Sequence, residues 1–197
     1  VEGDVHDPAT LERLFADRDA VVNLVGILNE RGHRGEGFRH VHVDLSKKVL
    51  DACKKTGVKR LLHMSALGAD QGCAPSHYLR TKGEAENHVH TFGQPDIAVT
   101  SFRPSVLFGR DDGLFNRFAA LLKIAPALPL ACPNARFAPA YVGDVAERMG
   151  DALGDRATFG QLYNLCGPGV WTWLLSTSDA AGDSLPLVPG GRRSIQI

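Results

Sequence analysis

Residues 58–82 read VKRLLHMSALGADQGCAPSHYLRTK, and this stretch decides the fold. Residues 58–64 predict a strand, whereas residues 77–92 are charged, carry helical spacing and predict a helix. Ser65 follows the strand directly, and Tyr78 and Lys82 lie four positions apart on the helix. A strand followed by a long crossover helix is the repeating unit of a parallel sheet.

The same alternation continues on both sides of this stretch. The predicted helices are residues 8–15, 38–56, 77–92, 113–123 and 142–153, and the predicted strands are residues 20–25, 58–64, 97–102 and 159–165. The run AVVNLV at 20–25 is apolar enough to predict a strand that is buried on both faces. We therefore predict an α/β fold with three layers, a parallel sheet between two layers of helices.

Composition excludes several classes of protein. The 197 residues include 22 Lys and Arg against 22 Asp and Glu, so the chain has no basic footprint for nucleic acid. The four cysteines form no C-x-x-C pair, which argues against a zinc site or a disulfide framework. The most apolar stretch, residues 118–131, contains a lysine and two prolines, so we expect no transmembrane segment. Without a signal peptide, the predicted location is the cytoplasm.

Three residues around the first stretch could carry chemistry. Positions i and i+4 of a helix share a face, so Tyr78 and Lys82 project together, and a neighbouring cation lowers the pKa of a phenol. Ser65 lies at the carboxyl end of a strand, where parallel α/β sheets bind ligands, and its hydroxyl could hold a substrate carbonyl. The alternatives are an ordinary helical pair and a serine that caps a turn.

Ser65, Tyr78 and Lys82 resemble the Ser-Tyr-Lys set of the short-chain dehydrogenase/reductase superfamily. Further segments carry the resemblance in the same order: GDVHDP at 3–8, NLVG at 23–26, RPSVLFG at 103–109 and YVGDVA at 141–146. NLVGIL, MSALGAD, YLRTKGEAE and RPSVLFG together look most like an atypical group. This group is related to the nucleotide-binding accessory subunit of respiratory complex I, and its bacterial members are NAD(P)-binding epimerase/dehydratase-like proteins.

The resemblance implies a Rossmann-like fold that binds NAD or NADP and a small-molecule substrate. It makes Tyr78 the general acid/base, Lys82 the group that lowers its pKa and holds the nicotinamide ribose, and Ser65 the group that orients the substrate carbonyl. The implied cofactor contacts are Asp4 and Val5 at adenine, Leu24, Val25 and Gly26 at the ribose, Pro104 beside the nicotinamide, and Tyr78 and Lys82.

The same resemblance implies an alternative to catalysis. Members of the group that belong to respiratory complexes hold a nucleotide in a structural role. The chain could then be an accessory subunit or a redox-sensing regulator, with vestigial catalytic residues. Such a protein would associate peripherally with a respiratory complex, on the inner membrane or on the mitochondrial matrix side.

The sequence departs from the family pattern at both ends. The family's first strand, glycine-rich turn, first helix and second strand should precede Val1, so we expect an incomplete domain without the phosphate cradle or the residue that selects NAD or NADP. The glycines at 32–37 have the wrong spacing for that turn and predict a flexible loop. We divide the chain into a partial NAD(P)-binding domain at 1–103, the rest of the fold with a small substrate or lid region at 104–173, and a disordered or atypical tail at 174–197.

Other clusters of polar residues have simpler interpretations. His40 and His42, and likewise His88 and His90, are two positions apart on predicted helices and face different ways, so surface or boundary positions are favoured over metal binding. Glu84 and Glu86 predict a solvated charged face. The sequence around Ser65 lacks the G-x-S-x-G pattern of a hydrolase.

Overall fold

The computed structural model describes residues 3–110, 136–172 and 195–196, which form an α/β fold. The helices are α1 (Pro8–Phe15), α2 (Glu36–Phe38), α3 (Leu45–Thr56), α4 (His77–Gly93) and α5 (Val142–Gly154), with a π-helical segment at Arg39–Asp44 and a 3-10 turn at Arg156–Thr158. The strands are β1 (Ala20–Asn23), β2 (Arg60–Met64), β3 (Ala98–Pro104), β4 (Leu107–Phe108), β5 (Arg136–Phe137), β6 (Ala140–Tyr141), β7 (Leu162–Leu165), β8 (Trp171–Thr172) and β9 (Ile195–Gln196). The predicted helix at 113–123 lies outside the described residues, as does the predicted tail apart from β9.

The main sheet places β1, β2, β3 and β7 side by side in that order. β2 is parallel to β1 and to β3, and the register aligns Asn23, His63 and Ser101 across the three strands. The crossover from β1 to β2 contains α3, and the crossover from β2 to β3 contains α4. The predicted α/β, Rossmann-like fold is therefore confirmed, and the carboxyl ends of three strands meet at one edge of the sheet.

The core lies between this sheet and the helices. Its buried apolar side chains come from α1, α3, α4, the strands and the residues just before β2 and β3: Leu11, Val21, Leu45, Val49, Leu50, Ala52, Cys53, Val58, Leu61, Val89, Ile97 and Val99. Asp7 caps α1 by accepting from the backbone of Thr10 at 3.0 Å, and Gly57 ends α3 at a φ of 81°. The helix boundaries expected from sequence are thus fixed by local caps.

The chain divides into two compact units. The first contains residues 1–103 and 148–164, and the second contains residues 104–147 and 165–196. The first unit holds the core, β1, β2 and α4. The functional division at 103 and 173 remains a prediction.

The expectation for the first strand was wrong in extent and in burial. β1 ends at Asn23 rather than at residue 25, and its burial alternates, with Val21 buried and Val22 44% exposed. The Asn23 side-chain oxygen accepts a hydrogen bond from the Val25 backbone at 3.2 Å, which turns the chain away from the strand.

Among the described residues, no helix is both long and apolar enough to cross a membrane.

Candidate functional site

Ser65 lies directly after β2, at the carboxyl edge of the sheet. Its backbone N–H donates to the Phe102 carbonyl at 2.7 Å, which continues the pairing of β2 with β3 for one more residue. The side chain is 2% exposed, and no described residue hydrogen-bonds its hydroxyl. A buried hydroxyl without a partner is costly, so this oxygen is suited to a ligand.

Lys82 reaches the same edge from the second turn of α4. Its side chain is 5% exposed, and its Nζ donates to the Met64 carbonyl at 3.0 Å, one residue before Ser65. Burial lowers the pKa of this ammonium to about 8. The structure therefore brings Lys82 to the strand end that carries Ser65, as the sequence pattern predicts.

Tyr78 begins the face of α4 that carries Lys82, and its acid/base role stays a prediction. Its ring packs edge-on against the His42 ring, with centroids 5.4 Å apart, and against the Phe38 ring at 5.9 Å. Burial raises the pKa of the phenol. A phenol whose pKa is raised in this way is a protonated acid at neutral pH.

Residues 24–27 form the neighbouring strip after β1. Leu24 is 59% exposed and Val25 is 41% exposed, so two apolar side chains face outward at the sheet edge. A Cβ added at Gly26 would lie 2.9 Å from Lys82 Nζ and 3.6 Å from His42 Nε2. A larger residue at this position would therefore require the Lys82 ammonium to move.

His42 is the residue of this edge that sequence reasoning missed. It was expected at the surface or a boundary, but it is 2% exposed. Its Nε2 accepts from the Ile27 backbone N–H at 3.2 Å, and its Nδ1 lies 2.9 Å from Thr81 Oγ1. The π-helical segment changes the angular register of the helix, so that His42 turns inward, and the sequence gives no signal of that segment.

A second buried histidine lies beneath the edge. His63 of β2 is 2% exposed, its Nδ1 lies 3.4 Å from Asn23 Nδ2, and no described residue hydrogen-bonds its Nε2. Asn23 Nδ2 is also 3.4 Å from Ser46 Oγ on α3. Burial lowers the pKa of His63 to about 3, and the charge of Lys82 adds to this effect.

The remaining predicted contacts come from other parts of the chain, and their roles stay predictions. Asp4 forms a turn in which its carboxylate accepts from the His6 backbone at 2.8 Å, and Val5 is 38% exposed. Pro104 is the last residue of β3 and belongs to the second unit.

The glycines at 32–37 form a loop organised by one carboxylate. Glu30 accepts from the backbone N–H groups of Gly35 at 2.8 Å and Gly37 at 2.9 Å. Gly35 has a φ of 79° and precedes α2. The Glu30 carboxylate therefore occupies the backbone N–H groups of this loop at the start of α2.

The solvated face predicted for α4 is wrong at Glu86. Glu86 is 1% exposed, and both of its oxygens accept from the Arg103 guanidinium, one at 2.8 Å. Glu84 forms a two-bond ion pair with Arg39, at 2.6 and 2.7 Å. No group of three or more candidate metal ligands occurs among the described residues.

Comparison with known proteins shows the family to which the chain belongs. A family described as NAD(P)H-binding matches residues 1–118. Subunit 9 of the NADH dehydrogenase [ubiquinone] 1 alpha subcomplex, mitochondrial, from Rattus norvegicus is 29% identical over 170 residues, which cover 85% of this chain and 43% of the relative. The ceramide reductase of Caulobacter vibrioides is 28% identical over 153 residues, which cover 76% of this chain and 45% of that protein.

Solved structures show the same fold. The UDP-glucuronic acid 4-epimerase of Bacillus cereus, in complex with UDP-glucuronic acid and NAD, superposes with a TM-score of 0.79 at 20% identity, over 93% of this chain and 66% of that one. This chain spans less than half the length of the two curated relatives. The resemblance stated from the motifs is confirmed, and the chain belongs to the NAD(P)H-binding family.

Proposed function

We propose that the chain is the nucleotide-binding and catalytic part of an NAD(P)-dependent oxidoreductase or epimerase/dehydratase-like enzyme. Ser65, Tyr78 and Lys82 act there on a carbonyl or hydroxyl group of a small-molecule substrate. The observation that carries the proposal is the pairing of two buried groups at one strand end. The Ser65 hydroxyl has no partner among the described residues, and Lys82 Nζ binds the carbonyl of the preceding residue.

The residues at this edge fit a nicotinamide nucleotide. Gly26 leaves room where a Cβ would contact Lys82 Nζ at 2.9 Å, and Leu24 and Val25 present apolar surface beside it. Lys82 and residues 24–26 hold the ribose in this proposal, and Asp4 and Val5 contact adenine. When bound, the cofactor supplies hydride transfer.

The side chains supply the proton chemistry. Ser65 Oγ donates to the substrate carbonyl oxygen and orients it, and the Tyr78 phenol transfers its proton to that oxygen as the carbonyl is reduced. Because burial raises the pKa of Tyr78, the phenol is in the acid form that reduction requires. In the oxidative direction the Tyr78 phenolate oxygen takes the proton back from the substrate hydroxyl.

Nucleotide binding is tested by titrating the chain with NADH and with NADPH and following nicotinamide fluorescence. We expect saturable binding that Lys82→Met weakens by about tenfold or more, because a charge-assisted hydrogen bond to the ribose is lost. Lys54→Met, which removes an exposed lysine from α3, is the matched control and should leave the affinity unchanged. Equal affinities for Lys82→Met and the unaltered chain would contradict the role of Lys82.

Turnover is tested with oxidised and reduced cofactors and a panel that includes UDP-glucuronic acid and ceramide, which the names of the similar proteins suggest. Absorbance of the reduced nicotinamide and chromatography of the products follow the reaction. We expect Tyr78→Phe to abolish turnover while nucleotide affinity is retained. Turnover that survives Tyr78→Phe would rule out the acid/base role.

A second candidate is a nucleotide-holding accessory subunit of a respiratory NADH dehydrogenase complex, or a redox-sensing regulator. The sequence similarity to subunit 9 favours it, and so does the arrangement in which Lys82 Nζ binds a backbone carbonyl. Tight nucleotide binding without turnover, together with co-purification with a respiratory complex, would support this candidate. If the protein is the enzyme, we propose a cytoplasmic location. If it is the accessory subunit, we propose a peripheral location at the inner membrane or on the matrix side.

A further inference from the structure

A chain of hydrogen bonds connects residues 24–27 to the first turn of α4 through the His42 imidazole. The Ile27 backbone N–H donates to His42 Nε2 at 3.2 Å, so Nε2 carries no proton. A neutral imidazole then carries its proton on Nδ1, which donates to Thr81 Oγ1 at 2.9 Å. The Thr81 hydroxyl in turn donates to the carbonyl of His77 at 2.9 Å or of Tyr78 at 3.0 Å. Every donor in this chain meets an acceptor, and the imidazole tautomer follows from the network.

The surroundings keep this imidazole neutral. The His42 side chain is 2% exposed, and the backbone at Gly26 lies close to both the imidazole and the Lys82 ammonium. Burial, with a further effect from the Lys82 charge, lowers the pKa of His42 to about 4. Protonation of Nε2 would remove the acceptor for the Ile27 N–H. Because the imidazole is neutral at pH 7, this hydrogen bond is intact there.

A role in core packing alone does not account for this residue. Burial of a polar ring stabilises the folded state less than burial of an apolar ring of the same size, so a polar ring in the core indicates that its hydrogen bonds have a role. His42 also lies in a π-helical segment, a less favourable backbone conformation that occurs often at functional sites. The two ends of the chain of hydrogen bonds are the strip proposed to line the cofactor ribose and the turn that carries Tyr78. The His42 ring also contacts the Tyr78 ring edge-on, with centroids 5.4 Å apart.

We infer that His42 is a positioning residue: it fixes the backbone of residues 25–27 against α4 through Thr81 and thereby sets the affinity of the site for the nicotinamide nucleotide. The second half of this inference rests on the proposed function. The first half concerns the protein alone and can be measured without a nucleotide.

The test compares two substitutions of His42. His42→Gln keeps an acceptor that can reach the Ile27 N–H, and His42→Leu keeps volume without an acceptor. We expect His42→Leu to speed hydrogen exchange of the Ile27 amide and to weaken NADH binding by about tenfold, and His42→Gln to restore both to within about threefold. His88→Leu, on α4 where the histidine packs against Phe92, is the control and should change neither.

Two further measurements keep the inference open to contradiction. Nitrogen-15 shifts of the imidazole in the unaltered chain should show a protonated Nδ1 and an unprotonated Nε2 at pH 7. If His42→Leu does not melt cooperatively, Thr81→Val takes its place in the test. This variant removes the hydrogen bond between His42 Nδ1 and Thr81 Oγ1 and leaves the histidine in place. We expect this variant to weaken NADH binding by about fivefold or more.

The outcomes separate this inference from the proposed function. Unchanged Ile27 exchange and NADH affinity in both His42→Leu and Thr81→Val, or a protonated Nε2, would overturn it. Failure of His42→Gln to outperform His42→Leu would overturn it as well. If the unaltered chain binds neither NADH nor NADPH, yet His42→Leu accelerates Ile27 exchange, the proposed function is contradicted and the positioning of residues 25–27 is supported.

Discussion

Individual buried polar groups distinguish the edge of this sheet from the rest of the core. The Lys82 ammonium is held in a place where burial lowers its pKa to about 8, so its charged form carries a cost at neutral pH. The Ser65 hydroxyl is buried without a partner among the described residues. Such groups reduce stability, and proteins retain them where a ligand supplies the missing interactions.

Ser65 yields a prediction about stability. We expect Ser65→Ala to leave the free energy of unfolding unchanged to within about 0.5 kcal/mol, or to raise it, because no protein hydrogen bond is lost. Ser46→Ala is the matched control: the Ser46 hydroxyl donates to the His42 carbonyl at 2.6 Å, so its removal should cost about 1 kcal/mol. Urea denaturation of both variants measures the difference, and an equal loss in Ser65→Ala would show that its hydroxyl already has a partner.

At the scale of elements, α4 is fixed in place by backbone contact and by an ion pair. A Cβ added at Gly83 would lie 2.6 to 2.7 Å from backbone atoms of Asp70 and Gln71, so the helix rests directly on the loop that follows Ser65. Glu86 and Arg103 join the same helix to the end of β3. These contacts hold α4 in place, and with it the Lys82 side chain that reaches the sheet edge.

We therefore expect Gly83→Ala to lower the free energy of unfolding by about 1–3 kcal/mol, because the helix or the loop must move apart to admit a methyl group. Gly150→Ala on α5 is the control, since nothing lies within 4 Å of the added Cβ. There the same change should stabilise the helix by up to about 1 kcal/mol. Chemical denaturation compares the two variants, and a stabilised Gly83→Ala would contradict the close contact.

At the scale of the whole molecule, two buried neutral histidines contribute to the way in which stability depends on pH. The folded pKa of His42 is about 4 and that of His63 about 3, both below the value of 6.5 for an exposed histidine. Between pH 6.5 and 4 the unfolded chain binds protons that the folded chain does not, so folding is favoured less as the pH falls.

We expect the free energy of unfolding to be constant near pH 7 and to fall by several kcal/mol, on the order of 3 for each histidine, by pH 4. Urea denaturation at a series of pH values measures this loss. His42→Gln, which cannot titrate, should show a shallower slope over the same range. A slope that does not change in this variant would mean that folding does not lower the pKa of His42.

Much of the main fold follows from sequence because its signals are local. The helix from Asp7, the stop at Gly57 and the helix from His77 each depend on a cap or a periodicity within a few residues, and the structure places all three there. The motif around Ser65, Tyr78 and Lys82 likewise predicts which side chains reach one strand end, because alternation and helical spacing fix their directions.

The sequence by itself determined the parallel α/β architecture, the order of its elements and the family to which the chain belongs. Only the tertiary structure decided the π-helical segment that turns His42 inward, the exposure of Val22, the burial of Glu86 and the carbonyl to which Lys82 binds. The first set depends on patterns between neighbours in the chain. The second depends on burial and on partners distant in sequence, and these also determine the pKa of each group at the site.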